Sequence, residues 1–217
     1  FTEYLVSEHC VNESKISYLP QYCEDIFDNI EDEPHDGFNF VFAGNIGKMQ
    51  SVETIIRAAA ILKDRKDIKI HIVGDGRDLE NCKLLANNLE TANVIFYGRR
   101  PLREMAQYYA MADAMIITLA KDDLISRTLP GKLQSYMAAS KAIVGAVDGE
   151  TSRIVKESCC GIVCASEDYK GLADIFRLFK SEDESMFSKN SRIYYKKNYS
   201  TETFFNHIME VFKVIIQ

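Results

Sequence analysis

The chain lacks the features that mark several large classes of protein. It has no basic excess: 26 Lys and Arg stand against 32 Asp and Glu, for a net charge of −6 and a pI near 5.3. That balance argues against a nucleic-acid binder, which carries a positive surface for phosphate. No apolar run approaches the roughly 20 residues of a membrane-spanning helix, and no signal-peptide pattern is visible. The 6 cysteines (10, 23, 82, 159, 160 and 164) show no CxxC spacing, and several fall inside expected strands or helices. They read as reduced thiols of a cytosolic protein.

Familiar catalytic and cofactor signatures are missing as well. No Ser/His/Asp grouping, metal-ligand cluster or phosphate P-loop can be picked out. The 4 histidines are scattered: His9 and His207 near the ends, His35 in an acidic stretch, and His71 inside a strand, where it reads as packed rather than catalytic. The dinucleotide fingerprint requires three glycines at set intervals after the first strand and an acid at the end of the second. Gly44 and Gly47 supply only part of it, and the second strand ends in Gly74. A nicotinamide or flavin enzyme is therefore not expected.

What is present is a chain able to bury a core: 217 residues, 47% hydrophobic and 27% charged, enough for one large domain or two small ones. It begins at Phe1 without a Met, which gives the expectation of a piece of something longer. Over residues 1–37 a short helix is expected at 2–10, a short strand at 15–19 and a solvated acidic connection at 24–36. From Phe38 the pattern is regular. Strands are expected at 38–43, 68–73, 94–97, 114–120, 142–147 and 161–164, with helices at 52–62, 79–89, 102–111, 128 onward, 151–158 and 172–179 between and after them. Strands alternating with helices at this spacing predict an α/β, Rossmann-like doubly wound parallel sheet. After Lys180, helices at 181–187 and 202–216 flank an aromatic, basic segment, Tyr194 to Tyr199, expected to pack on the core.

The stretch from Thr118 to Ala146, TLAKDDLISRTLPGKLQSYMAASKAIVGA, gathers the features that suggest binding. It leaves a strand, crosses a polar loop and opens a helix at Thr128-Leu-Pro-Gly-Lys132. A helix start collects unpaired backbone N–H groups and the positive end of the dipole. With Lys132 beside it, this start is a seat for phosphate at the carboxyl end of a strand, where open α/β sheets bind ligands. Glycine-bearing turns after three other strands, Gly44-Asn45-Ile46-Gly47, Gly74-Asp75-Gly76 and Gly98-Arg99-Arg100, let backbone approach a ligand closely. Lys48, Arg99, Arg127 and Lys132 are the cations available to meet phosphate charge.

The succession FVFAGNIGKMQSVETIIRAAAIL, IHIVGDG, VIFYGRR, LREMAQYYAMADAMI, LPGKLQSYMAASKAIVGA and GETSRIVKES resembles the C-terminal, donor-binding half of GT-B glycosyltransferases. The likeness is to family 4, and within it to the fucosamine-type amino-sugar transferases of bacterial capsule and O-antigen synthesis. The resemblance implies binding of a nucleotide sugar, commonly UDP-linked, and transfer with retention, without metal or other cofactor. It divides the chain into a linker from a missing N-terminal domain (1–37), a nucleotide-sugar-binding domain (38–180) and C-terminal helices (181–217). By position it implies that Gly44, Asn45, Gly47 and Gln50 face the diphosphate and that Arg99 and Arg100 border the base. Thr128, Leu129, Pro130, Gly131 and Lys132 would hold the phosphates, Ser135 would lie near the ribose, and Lys132 and Lys48 are the candidate catalytic cations. Many family members carry an Arg after the first-loop glycine, a Lys shortly after it, and a pair of glutamates flanking the phosphate helix. Here those positions read Asn45, Gln50, Arg127 and Ser135. The acceptor, a saccharide or lipid-linked saccharide, would be bound by the missing domain, so this chain alone would turn over nothing. The expected location is the cytoplasm, with at most peripheral contact at the inner membrane face. A GT-B-fold sugar-nucleotide epimerase and a non-catalytic doubly wound binding module are the other readings the residues allow.

Overall fold

The computed structural model describes residues 1–28 and 30–216. Among them, six strands form one parallel sheet in the order β3-β2-β1-β4-β5-β6: β1 (Phe38–Ala43), β2 (Ile68–Val73), β3 (Val94–Gly98), β4 (Ala114–Thr118), β5 (Ala142–Ala146) and β6 (Gly161–Cys164). The helices are α1 (Thr2–His9), α2 (Val52–Ile61), α3 (Leu79–Asn88), α4 (Met105–Ala110), α5 (Gly131–Ala138), α6 (Gly149–Ser158), α7 (Tyr169–Leu178), α8 (Ser181–Asn198) and α9 (Thr201–Ile216). The chain runs outward from β1 to β3, then returns across the sheet to place β4 on the other side of β1. The strand order therefore reverses between β1 and β4, and a crevice opens there beyond the strand ends.

Both faces of the sheet are covered, so the strands read as apolar runs. In β1, Phe40 and Phe42 point to the face packed by α2, α3 and α7, where the rings of Phe40 and Phe176 lie 4.5 Å apart. Val41 and Ala43 point to the opposite face, among Tyr109, Tyr136, Met137 and Ile154. The period of two along the strand thus divides the core into two layers. His71 lies within the sheet between Asn39 and Tyr97, at 3.1 Å and 2.9 Å. Burial first, then the charges of Lys69 and His35, pushes its pKa down to about 4. It is a neutral, packed histidine.

Several expectations from the sequence are corrected. No strand forms at 15–19; Asn12 instead accepts from the Ser14 N–H at 3.0 Å and caps a 3-10 turn at Glu13–Lys15. The helix expected to open at Thr128 opens at Gly131. Thr128 is extended, and Pro130 is the cap (φ −70°, ψ 133°). A residue that precedes proline is disfavoured in the helical region, so Leu129 cannot continue a helix into Pro130. The Tyr194–Tyr199 segment does not separate two helices. Its first five residues complete α8, whose buried positions Phe187, Ser191 and Tyr195 recur every four residues, and Tyr199 is also buried.

The acidic stretch 24–36 is not simply solvated. Phe27 is buried, its ring 4.7 Å from that of Tyr109. Arg192 pairs with Asp28 and donates to the Ala138 carbonyl at 2.7 Å. Lys141, only 1% exposed, pairs with Asp32 and donates to the Ala112 carbonyl at 2.9 Å. A buried ammonium requires partners, and this stretch supplies one. Among the described residues no helix is long and apolar enough to cross a membrane.

Candidate functional site

A cavity of about 680 Å³ opens at the carboxyl ends of β1, β2 and β3, against the start of α5. Its backbone floor depends on two glycines. Gly44 and Gly74 have φ of 147° and 146°, and a Cβ on Gly74 would fall 1.8 Å from the Gly44 carbonyl oxygen. Only glycine allows the two strand ends to come this close at that φ.

The Tyr136 side chain fixes α5 over this floor. Its hydroxyl donates to the Ala43 carbonyl and accepts from the Ala43 N–H, both at 3.0 Å. Lys132 lies one helical turn earlier on the same face, and its amine is held over the Phe42 ring at 3.8 Å from the centroid. A Cβ on Gly44 would lie 3.1 Å from that amine. The Lys132 residue as a whole is partly exposed, but its Nζ is buried and has no hydrogen-bond partner among the described residues. Burial pushes its pKa down to about 7. The amine is sealed from solvent in the wall of the cavity that Lys132 lines.

One turn further along α5, Ser135 donates to the Lys132 carbonyl at 3.0 Å. That leaves the Tyr109 hydroxyl, 3.1 Å away, to donate to Ser135. Burial raises the Tyr109 pKa well beyond its ordinary value, so the phenol stays neutral. Arg99 and Arg100 form the rim beyond β3, with Arg100 Nε donating to the Tyr97 carbonyl at 3.2 Å.

Of the residues expected at the site, Gly44, Asn45, Arg99, Arg100, Gly131, Lys132 and Ser135 line this cavity. Gly47, Gln50, Thr128, Leu129 and Pro130, also expected there, are not among the residues that line it. The Gln50 side-chain oxygen accepts from Asn45 at 2.9 Å, and its carbonyl accepts from Thr118 at 2.6 Å, so Gln50 braces the loop that carries Asn45. Lys48 lies in a different cleft, with Glu53, Asp78 and Glu167, and does not share the cavity with Lys132. The cavity's other wall, Gln21, Tyr22, Cys23, Glu24 and Phe27, was not foreseen from the sequence. The available signal was Ile26, Phe27 and Ile30, large apolar residues in a run of acids.

The pattern of the family described as glycosyl transferases group 1 matches residues 24–198. The chain is 30% identical over 163 residues to the probable glycosyltransferase WbjE of Pseudomonas aeruginosa, a match that covers 74% of this chain and 40% of that protein. It spans less than half the length of the curated relatives it matches. Among solved structures, a glycosyltransferase from Rickettsia africae superposes with a TM-score of 0.84 at 15% identity, over 99% of this chain and 61% of the other. The Anabaena protein HepE, solved with UDP and glucose, superposes with a TM-score of 0.71 at 17% identity, over 82% and 48%. At these identities the structural likeness is one of fold. The family pattern is independent of it and runs through all six strands and the loops that line the cavity, from Glu24 to the end of α8, so the chain belongs to the group 1 glycosyl transferases.

Proposed function

We propose that this cavity holds the diphosphate of a UDP-linked sugar. The chain is then the donor-binding part of a retaining, metal-independent transferase that passes a hexosyl or N-acetyl-amino-sugar unit to a saccharide or lipid-linked saccharide. One observation carries the proposal: a buried amine, Lys132 Nζ, unpartnered among the described residues, beside a glycine floor and the first turn of a helix. A phosphate oxygen would satisfy that amine together with the N–H groups at the start of α5. As the bond between the sugar and the β-phosphate oxygen breaks, negative charge grows on that oxygen. A protonated Lys132 and the helix end stabilise the charge where it develops. The UDP complex of the similarly folded HepE supports uridine as the base. Membership of family 4, a fucosamine-type role in capsule or O-antigen synthesis, and a cytoplasmic location with peripheral contact at the inner membrane face belong to the same proposal.

The test is a thermal-shift and calorimetric titration of the chain with UDP, GDP and NAD, without added metal. UDP stabilises the fold and NAD does not, since a ligand that binds only the folded state raises its stability. Lys132→Ala weakens UDP binding by about 1.5–3 kcal/mol, the range for a lost charge-assisted hydrogen bond. Unchanged affinity removes Lys132 from the site, and no response to any nucleotide defeats the proposal.

A further inference from the structure

Where β1 and β4 part, the gap in the sheet is closed by a side chain. Alternate residues of a strand turn their backbone groups to opposite neighbours. The Asn39 carbonyl accepts the Asp113 N–H at 3.0 Å, on the β4 side, whereas the Gly44 N–H donates to the Val73 carbonyl of β2 at 2.9 Å. Ala43, in phase with Asn39, therefore turns its N–H and carbonyl toward β4. The ladder to β4 ends at Val41 and Met115, while that to β2 runs on to Ala43 and Val73. Buried backbone groups need partners, and the Tyr136 hydroxyl supplies both for Ala43, accepting from the N–H and donating to the carbonyl at 3.0 Å each. Tyr136 has no exposed surface, and burial holds its phenol well above its ordinary pKa, so the proton stays in place. We propose that Tyr136 is a positioning residue for the nucleotide donor: it stands in for β4 at the end of β1 and so holds the first turn of α5, with Lys132, at the height over the Gly44 floor at which a diphosphate binds. The inference rests on the donor-site proposal above.

The two side chains share one helical face, Tyr136 following Lys132 by one turn. Both meet the end of β1: the phenol bonds the backbone of Ala43, and the amine lies over the ring of Phe42, 3.8 Å from its centroid. They differ in what fixes them. The phenol is a rigid spacer with two hydrogen bonds, and the Tyr109 ring meets its ring edge-on at 5.5 Å. The lysine stem is flexible, and its amine has no hydrogen-bond partner among the described residues. Leu133 and Met137 bury α5 in the same layer, but apolar packing is non-directional. The separation of α5 from β1 is therefore set at Tyr136 and passed to Lys132, whose amine depends on it for its place beside Gly44.

Calorimetry with UDP and with inorganic pyrophosphate tests this on wild type, Tyr136→Phe, Lys132→Ala and the double variant, with thermal unfolding confirming that each is folded. Tyr136→Phe keeps the ring and removes the hydroxyl. It binds both ligands roughly tenfold more weakly than wild type, within the range of couplings between residues that share a site. The double variant binds no more weakly than Lys132→Ala, because Tyr136 acts through Lys132. A merely structural role gives the same loss in both backgrounds. Tyr136→Phe with wild-type affinity, or losses that add in the double variant, overturns the inference and leaves the donor site standing. Hydrogen exchange of wild type gives a reading that needs no variant. The Ala43 amide exchanges when its bond to Tyr136 opens, and a ligand that binds only the closed seat slows that exchange. UDP is expected to slow it, and an Ala43 amide indifferent to saturating UDP overturns the role of Tyr136. A wild type that binds neither UDP nor pyrophosphate overturns the donor site and this inference with it.

Discussion

Lys132 shows how a single residue can be both a defect and a device. In the fold its pKa is about 7, against about 10.4 for a free lysine. Between those values the unfolded chain holds more protons than the folded one, so this residue makes stability rise as pH rises from 7 toward 10. Below pH 7 the amine is charged in both states and its burial penalty is present in full. Lys132→Met removes the buried charge and keeps most of the volume. Urea unfolding at pH 7 is expected to show this variant about 1–3 kcal/mol more stable than wild type, with the gap narrowing as pH rises from 7 toward 10; a less stable variant contradicts the account. Binding runs the other way. A diphosphate favours the charged amine, so UDP affinity falls as pH rises above 7, by up to tenfold per unit, and binding at pH 8 takes up a proton. Calorimetry in buffers of different ionisation enthalpy reads that proton directly. The place of Lys132 at a helix start was legible from its neighbours in sequence. Its burial over Phe42 was not, because Phe42 lies 90 residues earlier and meets it only through the Tyr136–Ala43 hydrogen bonds.

The segment before β1 and the turns after the strands are the elements that shape the cavity. Phe27 contributes its ring to the core and holds Glu24 and Tyr22 against the site. Phe27→Ala is expected to cost about 3–5 kcal/mol, as for other buried aromatics, and to weaken UDP binding beyond what the lost stability explains. Denaturant unfolding paired with titration well below the melting temperature separates the two effects. Gly74→Ala forces a Cβ at 1.8 Å from the Gly44 carbonyl at a φ that L residues avoid. The strand ends must part, at a cost of at least 1–3 kcal/mol, and a variant as stable as wild type would show that the close approach is not needed. The sequence marked the glycine turns because strand-then-glycine is a local pattern. It missed the role of the Phe27 segment because an acidic run is normally solvated, and only Lys141 and Arg192, from distant elements, show why these acids turn inward.

At the scale of the whole molecule, one sheet with two covered faces is completed by residues that look peripheral. Cys23 and Phe27 pack among side chains from α4, α5 and α8, and Asp32 partners the buried Lys141. A chain truncated to residues 38–217 is expected to lose at least about 3 kcal/mol, from the loss of Phe27 alone, and to expose Tyr109. Equal melting temperatures for the full and truncated chains would refute this. The sequence by itself determined the six strands, their parallel pairing and the end of the sheet at which the cavity opens. These follow from apolar period, length and glycine placement, which are local properties read along the chain. The tertiary structure alone decided which of the candidate residues share a cavity. It placed Lys132 there and Lys48 in another cleft, opened α5 at Gly131, and brought Glu24 to the opposite wall. The physical reason is distance along the chain: the walls come from segments up to 114 positions apart, Gln21 to Ser135, and contacts of that range are set by core packing and by the partners that buried charges require.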